Sequence, residues 1–397
     1  MKRFLAVASI AACAVALAQG IDKPTSQGGC LTPAAWHTIA AGKPRVAPGA
    51  EVIAEMARRD VVLLGEQHDN PDHHQWQLQT LSALHNVRPV TAIGFESFPR
   101  RIQPVLDAWV AGELSPRQFL ERSEWDKVWS FPAELYMPIF EFARVNRIPM
   151  IALNVERTLT RAVSDKGWEG VPESQKEGVT RPAPPSSGYE DMLFDVFGQH
   201  APPAGKQNAR ASRKDPAFRN FVESQLTWDR AMAEALASRV TAKGVTRPLV
   251  VGIMGGGHVR DGYGVPHQLR DLGITNVGVL LPVDAGTSCD EVKQDVADAV
   301  FALPARVRDK PAPPRLGVRL EMAEGGAVRV ASVTAGSLAD TSGLRVGDQI
   351  VMVAGVPANM TNVMVAVRTQ PAGTWLPLQI RRAEDTVDLI IKFPAKT

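Results

Sequence analysis

Five short apolar runs punctuate the first three-quarters of the chain: VVLLG (61–65), TAIGFES (91–97), IPMIALNV (148–155), PLVVGIMGGG (248–257) and VGVLLPV (277–283). Each ends in glycine or polar residues, and their apolar positions are contiguous rather than alternating, the pattern of strands buried on both faces of a parallel sheet. The stretches between them have helical periodicity. Asn70 followed by Pro71 reads as an N-cap and first helical residue, and the helix can run to about His85. In residues 215–240 helical spacing brings Phe218, Phe221, Val222, Gln225, Leu226, Asp229, Met232, Ala233 and Leu236 near one face. Strand and helix in alternation predict an α/β domain, a largely parallel sheet with helices on both faces.

Two stretches rich in Pro, Gly, Ser and charge, 167–189 and 198–214, interrupt the pattern and read as mobile inserts. After LLPVDAGTSCDEV the chain predicts a short helical stretch, then the proline-rich linker ARVRDKPAPPR (305–315). Beyond the linker, short alternating strands surround a small-residue helix ending at Gly343 and a Gly347-Asp348 turn. This part, above all SGLRVGDQIVMVAGVPA, resembles a PDZ domain of the protease-associated kind. The resemblance implies a small mainly-β unit whose Leu316, Gly317 and Val318 N–H groups receive a peptide C-terminus while the peptide adds to the sheet edge. A PDZ fold serving only as a brace between domains is the alternative.

At 397 residues two folded units are the expectation. With 44 Lys and Arg against 42 Asp and Glu, and no basic stripe interleaved with aromatics, nucleic-acid binding has no support. The first 18 residues, two cations, an apolar stretch and Ala16-Leu17-Ala18, read as a secretory signal peptide. The competing reading is a lipoprotein signal acylated at Cys13, but the apolar run continues past that residue. Either places the protein in the periplasm or outside the cell. Cleavage after Ala18 leaves Cys30 and Cys289, a natural pair in an oxidising compartment, with two separate buried thiols as the alternative. The expected limits are therefore 1–18 signal, 19–49 N-terminal segment, 50–285 α/β domain, 286–314 helical and proline-rich linker, and 315–397 PDZ domain.

In open parallel sheets ligands gather beyond the carboxyl ends of the strands. Those ends carry Glu66 and His68, Glu96, Asn154 and Glu156, and His258. Two carboxylates and two imidazoles from three distant segments suit a divalent transition metal or acid/base work on a bound water. Taken singly, a histidine after a strand more often caps or hydrogen-bonds. His73 and His74 point about 100° apart on a helix; His74 shares a face with Leu78 and Leu81, so His73 is expected in solvent. His37, His85, His200 and His267 read as structural or surface residues.

LLGEQHDNPDHHQWQLQ, GFESFPR, IPMIALNVER, QLTWDRAMAEAL and GGGHVRDGYGVPHQL together resemble the ChaN-like family of haem-binding uptake proteins, over roughly Ala50 to Val283. That family belongs to a wider set with Tiki proteases, TraB proteins and erythromycin esterases, which share paired Gly-x-x-His motifs and a separate glutamate; Gly65 to His68, Gly255 to His258 and Glu96 match. The resemblance implies one of two activities. In the first, the domain binds haem or an iron complex in the envelope, which needs an axial Tyr or His and an apolar platform. Tyr263, His74 and Tyr136 are the candidates, with Trp76, Phe98, Trp125 and Trp129 as walls. In the second, Glu66, His68, Glu96 and His258 hold Mn, Co or Zn, and one glutamate is the base of a hydrolase. No HExxH helix, Cys/His zinc framework or Gly-x-Ser-x-Gly elbow supports a more familiar hydrolase. A third reading is an inactive envelope adaptor, against which the intact Glu66, His68, Glu96 and His258 weigh. The sequence leaves a homodimer open.

Overall fold

The computed structural model describes residues 30–40, 42–129, 131–199, 212–242, 244, 246–293, 295–304, 315–323 and 327–395. Expectations for the signal segment, Cys13, His200, residues 305–314 and most of the 198–214 insert lie outside these. The chain divides into two compact units between residues 305 and 306.

The first unit is built on eight strands, β1 (Trp36–Ala40), β2 (Lys43–Ala47), β3 (Val61–Glu66), β4 (Ala92–Pro99), β5 (Met150–Asn154), β6 (Val250–Gly255), β7 (Val277–Asp284) and β8 (Ala299–Leu303). They lie in the order β2-β1-β8-β7-β3-β6-β4-β5. Strands β8 to β5 in that order are mutually parallel, and the β1–β2 hairpin adds antiparallel to β8. The sheet thus reaches outside the expected limits of 50–285. Where a short helix was expected, Ala299–Leu303 forms a strand, because its apolar residues fill a buried sheet position between β7 and β1.

Successive residues of a strand face opposite sides, and the predicted contiguous runs use both. Val62, Leu64, Ile93, Phe95, Val251 and Ile253 enter one core, and Val61, Leu63, Ala92, Val250 and Met254 the other. Helices α1 (Gly49–Met56), α2 (Pro71–Val87), α3 (Gln103–Val110), α4 (Pro116–Arg122), α5 (Trp125–Val128) and α6 (Ala133–Val145) supply the first core. On the other face lie α9 (Pro216–Val240) and α10 (Gly264–Asp271), and α7 (Arg157–Lys166) and α8 (Ser187–Gln199) pack on α9. Helix α2 starts as read, with Asn70 Oδ1 accepting from Asp72 N–H and Pro71 in the first turn. The 167–189 stretch is not a mobile insert: Trp168, Val171 and Val179 are buried against α7 and α9, apolar anchors that its polar composition conceals.

From β3 the chain moves through β4 to β5 at one edge, then returns to β6 beside β3 and moves through β7 to β8, the last parallel strand on the other side. The carboxyl ends of β3 and β6 therefore flank a topological switch point, where side chains have a crevice to meet in.

The second unit holds β9 (Val318–Met322), β10 (Val328–Val333), β11 (Gln349–Val353), β12 (Val356–Pro357), β13 (Trp375–Arg382) and β14 (Asp385–Lys392) with α11 (Leu338–Thr341) and α12 (Met360–Thr369). Its sheet runs β14-β13-β11-β10-β9, antiparallel throughout, around its own core of Leu316, Val328, Ile350, Leu376 and Ile380 among others. Among the described residues no helix is long and apolar enough to cross a membrane.

Candidate functional site

Glu66 closes β3, and the chain turns at once, so that His68 folds back: its Nδ1–H donates to Glu66 Oε1 at 2.7 Å. Tyr136 of α6 donates to the same oxygen at 2.8 Å. A second relay mirrors this one. His258 follows β6, its Nδ1–H donates to Asp229 Oδ1 at 2.7 Å, and Tyr189 donates to Asp229 Oδ2 at 2.6 Å. Between the two imidazoles stands Glu96. The β4–β5 pairing slips between Phe95 and Pro99, and this local irregularity in the ladder turns the Glu96 segment toward β6. Glu96 Oε2 accepts the Gly255 N–H at 2.7 Å, while Oε1 lies 3.5 Å from His258 Nε2 and 3.9 Å from His68 Nε2. That Oε1 is buried and has no hydrogen-bond partner among the described residues. Gly255 makes the approach possible, since a Cβ there would stand 3.0 Å from His68 Cε1.

Charge pairing dominates the electrostatics. Burial pushes the Glu66 carboxyl up, but His68 and His74 outweigh it and hold it at about 2. Burial lowers His258, yet Glu96 and Asp229 raise it to about 10. His68 is likewise raised: burial opposes, and Glu66 and Glu96 prevail. Burial alone would lift the Glu96 carboxyl; His258 beside it brings it below the ordinary range. The cluster thus couples imidazoles to buried carboxylates, with His68 and His258 each held at Nδ1 and each turning Nε2 toward Glu96.

Two cavities adjoin it. One, of about 650 Å³, opens over the ends of β4 and β5; its walls include Trp129, packed edge-on to His68 at 4.8 Å, and Trp228, 4.8 Å from His258. The other, of about 540 Å³, runs from Glu66 and Gly257 along Leu281, Val283 and Val300.

A family model described as haem-binding uptake, Tiki superfamily, ChaN matches residues 52–269, more than half of the chain. The chain belongs to the ChaN family of the Tiki superfamily. A PDZ family model matches residues 306–381. Among solved structures, the ChaN of Campylobacter jejuni with cofacially bound haem is 18% identical with a TM-score of 0.48, covering 67% of this chain and 96% of that one. The HtrA3 PDZ domain bound to a phage-derived ligand is 25% identical, TM-score 0.18, over 20% of this chain and 82% of its own. A serine endoprotease from Yersinia pestis is 24% identical, TM-score 0.18, over 21% and 29%. No curated protein matches the chain.

Of the four residues expected as metal ligands in the ChaN-like unit, His68, Glu96 and His258 converge, whereas Glu66 stands behind His68 with its oxygens against His68, Tyr136 and His74. Among the described residues no group of three or more His, Cys, Asp or Glu is placed to hold a metal ion. The three residues read as haem ligands do not present a free donor. Tyr136 is buried, tied to Glu66, and its hydroxyl is pushed far up by burial and that carboxylate. His74 is buried with Nδ1 3.0 Å from Glu66 Oε2 and Nε2–H on the His68 carbonyl at 3.1 Å. Tyr263 stacks on Tyr189 with its hydroxyl against Gly188, and burial and Asp261 raise its pKa, which disfavours the phenolate an iron ligand needs. His73, expected in solvent, is buried beside the second cavity because its Nδ1 accepts the Gln67 N–H at 3.0 Å, which anchors the ring and leaves its proton on Nε2. Trp76, Phe98 and Trp125 belong to the core, and of the expected walls Trp129 alone lines the larger cavity.

Sequence reading missed Asp229 and Tyr189. A carboxylate within the apolar face of α9 was the available signal, since a buried charge needs a partner. Among these residues His68 has the geometry of an iron ligand: a part-exposed imidazole, anchored at Nδ1 on a buried carboxylate as metal-bound histidines are, with no hydrogen bond at Nε2 among the described residues; Glu66 and Glu96 raise its pKa, so iron would have to displace a proton from Nε2. In the PDZ unit the carbonyls of Leu316 and Gly317 accept from Ala339 and Thr334 N–H, fixing the loop that leads into Val318 and the edge strand β9. Cys30 and Cys289 stand side by side as thiols, and burial with the neighbouring Cys289 thiol pushes Cys30 up to about 11.

Proposed function

We propose that this is an envelope protein that binds haem or an iron complex through its ChaN-like unit and engages a peptide partner through its PDZ unit. The observation that carries the first part is the His68 imidazole, held by Glu66 with Nε2 free, in a domain of the haem-binding uptake family. His68 would hold the iron, and His258 and Glu96 would set the charge beside it. Bound haem would supply an iron centre whose ligation and polarity the protein tunes. Export is supported by the segment pattern of residues 1–18, and peptide capture by the open edge of β9.

Titration with haemin tests the reading. A saturable Soret shift is expected, at least tenfold weaker in H68A and unchanged in Y263F. A wild-type protein without such a shift overturns it. The convergence of His68, Glu96 and His258 favours a second reading, a divalent-metal hydrolase with Glu96 as base. Tight stoichiometric Mn, Co or Zn together with metal-dependent ester or peptide hydrolysis, both lost in the double variant H68A/H258A, would favour it instead.

A further inference from the structure

The larger cavity carries an assignment of its own. Its floor includes Ser97, which is 3% exposed and whose Oγ has no hydrogen-bond partner among the described residues, and a wall includes Trp228, whose buried indole N–H has none among them either. Phe221, Trp228 and Trp129 give it flat apolar surface. One side is the start of α7. That ten-residue helix has Glu156 at its N-cap, but the Glu156 carboxylate is turned to Arg101 and makes no cap bond, and its N–H is taken by Glu177; the first turn itself holds no acidic residue and begins with Arg157, one turn before Arg161. Cations at the positive end of a helix are unfavourable unless an anion joins them, and exposed N–H groups there are an anion site in waiting. The other charges of the cleft are largely spent. Arg101 pairs with Glu156 and Glu124 at 2.5 Å, and Lys127 with Glu124 at 2.8 Å. Arg157 donates only to the Val128 carbonyl, and Arg161 has no ion pair among the described residues, which leaves two guanidinium groups against the one carboxylate of Asp165.

We propose that this cleft binds the carboxylate edge of a planar apolar ligand, with the carboxylates on Arg157, Arg161 and the α7 N-terminus and the flat body against Trp228, Phe221 and Trp129. This rests on the haem-binding reading of the ChaN-like unit and names where a porphyrin's acidic side would sit. About 650 Å³ is within the roughly 300–1,000 Å³ of small-molecule sites. Arginine forks match carboxylates bidentately.

The test compares haemin, metal-free protoporphyrin IX and its dimethyl ester on the full chain, by tryptophan quenching and Soret absorbance. Protoporphyrin IX is expected to bind, the ester at least tenfold more weakly. R157E/R161E should weaken both acids at least tenfold and R157K/R161K by less, with unchanged circular dichroism. H68A should lose the haemin Soret shift and keep protoporphyrin IX. Equal binding of acid and ester, or of wild type and R157E/R161E, overturns the cleft assignment while leaving haem binding by His68 standing. Arginine-dependent binding of protoporphyrin IX without a haemin Soret shift upholds the cleft and removes the iron ligand. No porphyrin binding at all overturns both.

Discussion

Two residues that line neither cavity beside the site, Asp229 and Tyr189, fix the direction of a third. Asp229 is fully buried, with one oxygen on His258 Nδ1 and the other under the Tyr189 hydroxyl. In D229N the site loses one of the two charges, with Glu96 the other, that raise His258. We expect the His258 titration, followed by the NMR of its ring protons, to fall from its raised value, and stability to drop by about 1–3 kcal/mol, as when a buried charged partner is removed. Y189F should move the titration less, and an unmoved His258 in D229N would detach Asp229 from that role. G255A tests packing rather than charge. The added methyl stands 3.0 Å from His68 Cε1 and 3.1 Å from Nε2, so the ring must turn away. Overpacking predicts a loss of about 1–3 kcal/mol, with weakened haemin binding; intact haemin affinity would show that His68 need not hold its place. Glu96, His68 and His258 were legible because strand ends are legible, and the sheet places strand ends together. Asp229 was not, because its helix advertises only an apolar face, and which strand-end histidine that face meets depends on the order β3-β6-β4.

At the scale of elements, contiguous apolar runs gave away β3 to β7, from the middle of the sheet to the β5 edge, and the N-cap and proline of α2 its start. The edge escaped. β1 and β2 are short and half-exposed, with a proline in β2, and β8 follows a run of charges that reads as helix. Non-local pairing, rather than local pattern, makes them strands. The same edge holds the two cysteines: Cys30 precedes β1 and Cys289 follows β7. We expect them to join in oxidising conditions, where closing so long a loop contributes up to about 4–5 kcal/mol in the chain-entropy model. Protein unfolded without reductant should then show no free thiol from this pair and a lower melting temperature after reduction. Two titratable thiols would sink the pairing.

For the whole molecule, two separate cores imply two separate stabilities. The PDZ core contains no residue of the first unit, and an ion pair inside it offers a handle that the first unit lacks. Asp348 is 1% exposed and accepts from Arg382 at 2.8 and 2.7 Å and from the Arg345 N–H at 2.8 Å. Burial raises its carboxyl, but the Arg382 bonds outweigh burial and hold it below its ordinary 3.8. A carboxyl depressed in the folded state stabilises above its unfolded pKa and loses that contribution as pH falls through the folded value. Scanning calorimetry at pH 7 should therefore show two transitions, and D348N should lower one of them by about 1–3 kcal/mol, the cost of leaving charged donors without their acceptor. As pH falls below about 4, the ordinary carboxylate range, the gap between wild type and D348N in that transition should narrow, and it should close only once the pH is under the depressed folded value of Asp348. The other transition should not respond to D348N at any pH. A single cooperative transition, or a shift of both together, would mean that the two units do not unfold independently.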